Sequence, residues 1–490
     1  MAQRIWRSNA TCVECSATRQ QGDARNRSRS LIRRLFQRRS HKPGQLTAIL
    51  RNAGYILLGK GLGGLLSLVY VALAARSLGM DGFGHFVLIL AFGQSIAGLA
   101  QFQTAEVLIR FGAIHLAEHA PHKLARIIGF CAMLDALSAL VAVVMALIAG
   151  AWLGPLLGLS GQDSERAAWF AASFIFVLRG TPVGILRLFN RFDLAALIDS
   201  LIPAVRLIAA ATGFLFANSI VWLLAAWAFA EFLATVIVWM AAVQEVRRHS
   251  NLPLRQEALR WRQASRENHR LWRFAGFTNL SSSVGFLHKQ AGTLLVGWQA
   301  GASVAGIYRI AQQLAHAVSK PVAALSRAIY PDLAHVAVAG GAKAVTGLTD
   351  RLSIFGALLG IAAVGIVAVA GPWILTAVAG PQFASGSRVL LILTIAAAIE
   401  LWAFGQEPAL LALGRAGAVL AIRATIGVVA IGLMLFLLSR YGVTGAAVAV
   451  LVGNVGTRLA MSLALARYTR STTRPAASIP AAQVLEADKL

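Results

Sequence analysis

Acidic residues are scarce in this chain. Only 20 Asp and Glu stand among 490 residues, and with the Lys and Arg the charged share reaches 13%, about half that of a soluble domain. A surface wetted all round is therefore excluded. Cysteine is scarcer still: three residues cannot build a disulfide framework. Cys12 and Cys15 form a lone CxxC without the further ligands that a tetrahedral zinc site needs. The ten histidines are scattered, and no paired carboxylates, GxSxG, phosphate-binding glycine loop or metal-ligand spacing accompanies them. His115, His119 and His122 do fall at i, i+4 and i+7, and they read as a solvated loop face. No enzyme centre, metal or cofactor is expected.

What the chain has in abundance is apolar. Hydrophobic residues make up 57%, with a mean hydropathy of +0.67. The net charge of +25 taken alone suggests nucleic acid, but the basic residues punctuate long apolar runs, which is the membrane pattern. No nucleic-acid partner is expected. Apolar segments recur at 53–75, 85–107, 127–152, 168–186, 195–217 and 220–243, then at 274–297, 304–326, 352–379, 389–412, 418–439 and 442–466. Each suits one helical crossing, so the expected fold is an all-α polytopic membrane protein of about twelve transmembrane helices. Residues 1–52 read as a basic, disordered tail with twelve Lys and Arg against two acids, and 468–490 as a second tail. The Arg-rich linker 244–273 divides six spans (53–243) from six more (274–467).

Charge sets the expected orientation. With the N-terminus inside, the inner segments hold 33 Lys and Arg and the outer loops hold four, Arg76, Arg166, Arg388 and Arg440, while eight lie within spans. So strong a bias places both termini in the cytoplasm. A faint repeat supports the division into halves. Gly79-Met-Asp-Gly-Phe-Gly84 aligns with Gly301-Ala-Ser-Val-Ala-Gly306 at an offset of 222, and Leu188-Phe-Asn-Arg191 with Ala412-Leu-Gly-Arg415 at 224. Two pseudo-symmetric six-helix lobes follow, as parallel repeats about an axis along the membrane normal.

The run Ala75-Arg76-Ser-Leu78-Gly79-Met-Asp-Gly-Phe83-Gly84, with Gly184-Ile-Leu-Arg187-Leu-Phe-Asn190-Arg191-Phe192 after the fourth span, resembles signatures of lipid-linked oligosaccharide flippases. These O-antigen and exopolysaccharide repeat-unit flippases belong to the multidrug/oligosaccharidyl-lipid/polysaccharide exporter superfamily. The resemblance covers about residues 50–470 in hydropathy. It implies two lobes around a central cavity, and movement of a polyprenyl-diphosphate-linked glycan from the cytoplasmic to the periplasmic leaflet of a bacterial inner membrane, for surface polysaccharide such as lipopolysaccharide or exopolysaccharide. Its implied partners are lipid-linked oligosaccharide, membrane lipids, and the glycan polymerase and chain-length machinery. The long basic tail departs from the short N-terminus usual in that family.

Ionisable groups inside hydrocarbon are costly and face a partner or a wet cavity. The basic set within spans is Lys60, Arg179, Arg206, Lys289, Arg309, Lys320, Arg423 and Arg458, against Asp135, Asp199, Glu231, Glu400 and Glu407, with Glu106 near an end. A cationic surplus results. Arg309, Gln313, His316 and Lys320 make one stripe on the eighth span. The repeat offsets bring Lys60 and Lys289 onto a common face two turns apart, and likewise Arg206 and Arg423. The expected substrate-binding set is Lys60, Arg206, Lys289, Arg309, His316, Lys320 and Arg423, lining a cationic cavity suited to a diphosphate. Ion pairing of Arg206 on its own helix, or snorkelling of Arg423, is the alternative. Glu400 and Glu407 are candidate proton carriers, or else structural partners for the arginines. Rival functions are a cation-coupled multidrug exporter, which calls for a negative surplus, and a membrane glycan polymerase, which calls for a large extramembrane loop; the longest outer loop here has about fifteen residues.

Overall fold

The computed structural model describes residues 43–156, 161–173, 179–217, 219–249, 254–413 and 415–472. The CxxC, nearly all of the N-terminal tail and most of the C-terminal one lie outside the described residues, as do the side chains of Lys60, Asp199, Lys289 and Lys320. The chain divides into two compact units, Met1–Gly54 and Tyr55–Leu490, and the membrane-crossing helices all lie in the second.

No strand occurs among the described residues. Helix α1 (Pro43–Ala100) is followed by α2 (Thr104–Val107), a π-turn at Leu108–Gly112 and α3 (Ala113–Ala117). Helices α4 (Pro121–Leu156), α5 (Gly161–Ser173), α6 (Gly180–Leu188), α7 (Phe192–Thr212) and α8 (Ile220–His249) complete the first half. The linker folds as α9 (Leu254–Glu257), a 3-10 turn and α10 (Trp261–Glu267). The second half holds α11 (Leu271–Ala300), α12 (Ala302–Ala379), α13 (Ser387–Ala403), α14 (Gln406–Ala412) and α15 (Ala416–Thr472). The expected all-α polytopic class is the fold observed.

Seven helical stretches among the described residues are long and apolar enough to cross a membrane. Two of them, Leu66–Ala117 and Gly417–Tyr468, run to 52 residues. Laid straight, each would reach about 78 Å, against a hydrocarbon core of about 30 Å. Both break at glycines of positive φ, Gly79 (φ 67°) and Gly442 (φ 60°), a backbone conformation that residues with a Cβ rarely adopt. At Gly442 the chain doubles back: a Cβ on Gly445 would stand 2.1 Å from the Leu437 carbonyl oxygen, and one on Gly453 3.1 Å from Ala430. That stretch therefore holds two antiparallel crossings. Large apolar side chains such as Ile361, Val369 and Trp373 are exposed along α12, as lipid-facing residues are.

Two segments that each read as a single span in the sequence are interrupted. The segment 168–186 is α5 and α6 with non-helical backbone at Arg179 (φ −123°, ψ 32°). Gly180 and Pro182 explain the restart, since proline lacks an N–H and is tolerated in a first turn. The segment 85–107 breaks at residues 101–103, where the Phe102 N–H is met by the Ser138 hydroxyl at 3.3 Å.

The linker is pinned beneath the first half. Arg126 on α4 donates to Glu257 at 2.6 Å and also to Glu267. The Arg126 guanidinium holds the Glu257 carboxyl below the usual glutamate range. His115 is buried, its Nε2 2.9 Å from Asn268 Oδ1. The solvated face expected for the histidine triplet thus holds only for His119 and His122, which are exposed.

Candidate functional site

The repeat-related turns meet face to face. Ser303 donates to Asp81 at 2.7 Å, and a Cβ on Gly306 would lie 3.1 Å from the Gly84 Cα. In each pair the partners are 222 residues apart, the repeat offset itself. Equivalent positions of the repeat thus touch each other. A Cβ on Gly84 would fall 2.1 Å from the Ala302 carbonyl oxygen, so only glycine permits this crossing. The contact is widened by Arg76, which donates to the carbonyls of Ala377 and of Val378 (3.2 Å), by Gln382, which accepts from the Met80 N–H at 3.2 Å, and by Phe83 packed edge-on to Phe383 at 6.0 Å. One end of the space between the halves is shut.

Behind this closure sits a cluster of charge. Glu231 on α8 is 8% exposed and accepts from two arginines: Arg179 at 2.9 Å, and Arg206 of α7. Trp227, one turn before Glu231, lies under the Arg206 guanidinium at 3.3 Å from its ring centroid. Tyr70 meets the edge of Trp227 at 5.6 Å and faces both Arg206 and Arg309. Arg309, on α12, donates to Gln312 at 3.3 Å, and no Asp or Glu stands at ion-pair distance from it among the described residues. Gln313 donates to the Ser67 carbonyl at 3.3 Å across the interface, and Gln290 to Gln94 at 2.6 Å. The cluster counts three guanidinium groups and one carboxylate. The Arg206 Nε is buried without a hydrogen-bond partner.

The structure thus brings Arg206 and Arg309 together around Tyr70. Arg206 finds an acid on the neighbouring helix α8, while the Asp199 side chain on its own helix lies outside the described residues. Arg423 stands apart with Glu407, which accepts from it; the side chains are 60% and 34% exposed. Glu400 and His316 line a pocket with Gln312, Leu393, Ala397 and Asn454. Arg458 stacks on Trp402 at 3.3 Å and donates to its carbonyl at 2.7 Å. Tyr70 and Trp227 were not on the expected list. The spacing of Trp227 and Glu231 at i, i+4 on an otherwise apolar helix is the signal that points to Trp227; Tyr70 has none.

Comparisons with known proteins agree with this architecture. Residues 49–336 match the family described as polysaccharide biosynthesis protein. The inner membrane protein YghQ of Escherichia coli (strain K12) is 26% identical over 294 residues, 59% of this chain and 81% of that protein. Among solved structures, a multidrug resistance MATE family transporter of the MOP superfamily in an inward-facing conformation superposes with a TM-score of 0.67 at 13% identity, over 85% of this chain and 96% of that one. The lipid II flippase MurJ in an inward closed conformation gives 0.64 at 13%, over 83% and 86%. The fold is shared with these two transport proteins. With its family match covering more than half its length, this multi-pass membrane chain belongs to the polysaccharide biosynthesis proteins and carries the fold of the MOP superfamily.

Proposed function

We propose that the chain is a flippase for polyprenyl-diphosphate-linked oligosaccharide, carrying it from the cytoplasmic to the periplasmic leaflet of a bacterial inner membrane by alternating access between two six-helix lobes. The observation that supports this reading best is the surplus of guanidinium over carboxylate at Arg179, Arg206 and Arg309 around Glu231. A diphosphate must leave water to cross, and charge-assisted hydrogen bonds from arginine replace that hydration. Lys60, Lys289 and Lys320 are further cationic candidates from the sequence, and in the second lobe Arg423 and His316 stand with Glu407 and Glu400 as their acidic neighbours. The glycan head would ride this surface while the polyprenyl chain stays in lipid.

The charge distribution supports a cytoplasmic side for both termini and for the Arg126-clasped linker. The Gly84–Gly306 contact then closes the periplasmic end, and the conformation is inward-facing. Transport requires that contact to part. Glycan polymerase and chain-length machinery would take the product on the outer side, as the resemblance implies.

A cation-coupled drug exporter shares the fold, but a cationic drug would meet repulsion from the arginines described here. Cells lacking the gene separate the two. The flippase reading expects surface polysaccharide to vanish and diphosphate-linked repeat units to accumulate in the inner leaflet; unchanged glycan with new drug sensitivity would select the exporter.

A further inference from the structure

The Arg-rich linker holds more positive charge than its own acids can balance. All three acids of 244–273 are taken: Glu245 accepts from Arg191 at 2.9 Å, and Glu257 and Glu267 accept from Arg126. Arg247, Arg262, Arg266 and Arg273 are exposed, and no Asp or Glu stands at ion-pair distance from any of them among the described residues. Two of the four share one face of α10. Ala264 is fully buried in the cluster that α4 builds with Leu124 and Ile127. Arg262 and Arg266 stand two positions to either side of it, about 200° around the helix, and so turn away from the protein.

The exposed surface changes character at the same level on both flanking helices. On α8 it passes from Met240 and Val243 to Arg247 within about one turn, and on α11 from Leu280 and Phe277 to Arg273 within about one turn. Each helix therefore leaves hydrocarbon for the headgroup region where the linker begins or ends. Trp272 is exposed at this level, packed edge-on to Phe130 at 5.0 Å, and Leu259 on the 3-10 turn is 78% exposed among the arginines. Exposed apolar side chains among unbalanced arginines match a bilayer boundary of opposite charge. We infer that Arg247, Leu259, Arg262, Arg266, Trp272 and Arg273 form a docking surface for anionic phospholipid of the adjoining leaflet. The guanidinium groups would donate to headgroup phosphates, while Leu259 and Trp272 enter the acyl boundary. A zwitterionic headgroup brings its own cation and offers these arginines no net attraction. The segment held in this way is the one that joins the two halves. The inference needs only a chain that spans a membrane, whatever that chain carries.

The full chain reconstituted in nanodiscs of phosphatidylcholine or of phosphatidylglycerol provides the test, with amide hydrogen exchange in 254–273 as the readout. Phosphatidylglycerol should slow exchange there about tenfold in the parent. R262Q/R266Q/R273Q should exchange alike in the two lipids, and R262K/R266K/R273K, which keeps the charge, should retain most of the slowing. Concentrated sodium chloride should erase the slowing in the parent, since exposed charges are screened; this arm needs no substitution and decides the matter where a variant does not fold. Equal exchange of the parent in both lipids, slowing that survives in the glutamine variant, or slowing indifferent to salt overturns the inference. Sodium pyrophosphate that reproduced the slowing in phosphatidylcholine would also overturn it, by assigning the arginines to a soluble anion instead of the membrane.

Discussion

Glu231 and Glu407 each accept from arginine, in opposite surroundings. Glu231 is buried, shared between Arg179 and Arg206, and roofed by Trp227. Glu407 and its partner Arg423 are open to the space around them. The difference teaches that an intramembrane ion pair has two roles. Where it is buried, each partner is indispensable to the others because an unmatched charge cannot be hydrated. Where it is wet, the pair is loose and either member is free to meet a ligand. Arg309 belongs to the second kind in chemistry and to the first in place, beside Tyr70 with no acid at ion-pair distance among the described residues.

Removing the two acids should therefore break the symmetry sharply. Glu231→Gln leaves two arginines stranded, for a loss of about 3–5 kcal/mol, visible as depleted folded protein in the membrane and a lowered melting temperature. Glu407→Gln should cost under about 1 kcal/mol. Equal losses in both would show that burial is not what separates them.

A second contrast sets glycines of the closed end against those that touch nothing. Gly84→Ala would drive a methyl into the Ala302 carbonyl, whereas Gly432 has no neighbour within 4 Å. Gly84→Ala should hold this end apart. In a cysteine-free background, a cysteine at buried Thr293 should then react with an impermeant thiol reagent added outside, and stay protected with Gly432→Ala. Protection in both would mean that the turns do not form the barrier.

A smaller effect is expected from the arginines themselves. Arg206→Gln leaves Glu231 with Arg179, so abundance should fall modestly while export drops about tenfold, equivalent to about 1.4 kcal/mol of lost affinity. Arg423→Gln should lower export with abundance unchanged. Quantitative blots of membrane protein beside surface-glycan staining separate these outcomes.

Much of this was legible in the sequence because hydropathy and charge act locally. Apolar runs marked the crossings, the glycines at 79 and 301 marked the turns, and the repeat offset is the spacing at which Asp81 and Ser303 bond. Breaks were not legible. Gln101-Phe102-Gln103 contains no glycine or proline, and its interruption depends on Ser138, 36 residues onward. The pairing of Arg206 with Glu231 is likewise a matter of how α7 and α8 pack, which no periodicity within either helix records.

The smallest expected effect lies in the linker. Because Arg126 lowers the Glu257 value in the folded chain, the stabilisation of this contact is complete above the ordinary glutamate value of about 4.3 and is lost as pH falls through the lower folded one. Hydrogen exchange in 254–267 should stay slow near pH 6 and quicken on acidification below about 4, with α8 unaffected. Exchange that quickened equally with Glu257→Gln in place would assign the change to another group.

The central claim is that the arginine surplus binds the diphosphate, and Arg309 tests it most directly. Arg309→Glu reverses a charge that no acid balances among the described residues, so the protein should reach the membrane at near-parental abundance. Surface glycan should nonetheless fall at least about tenfold, with lipid-linked repeat units held in the inner leaflet. Parental levels of surface glycan from Arg309→Glu would contradict the account.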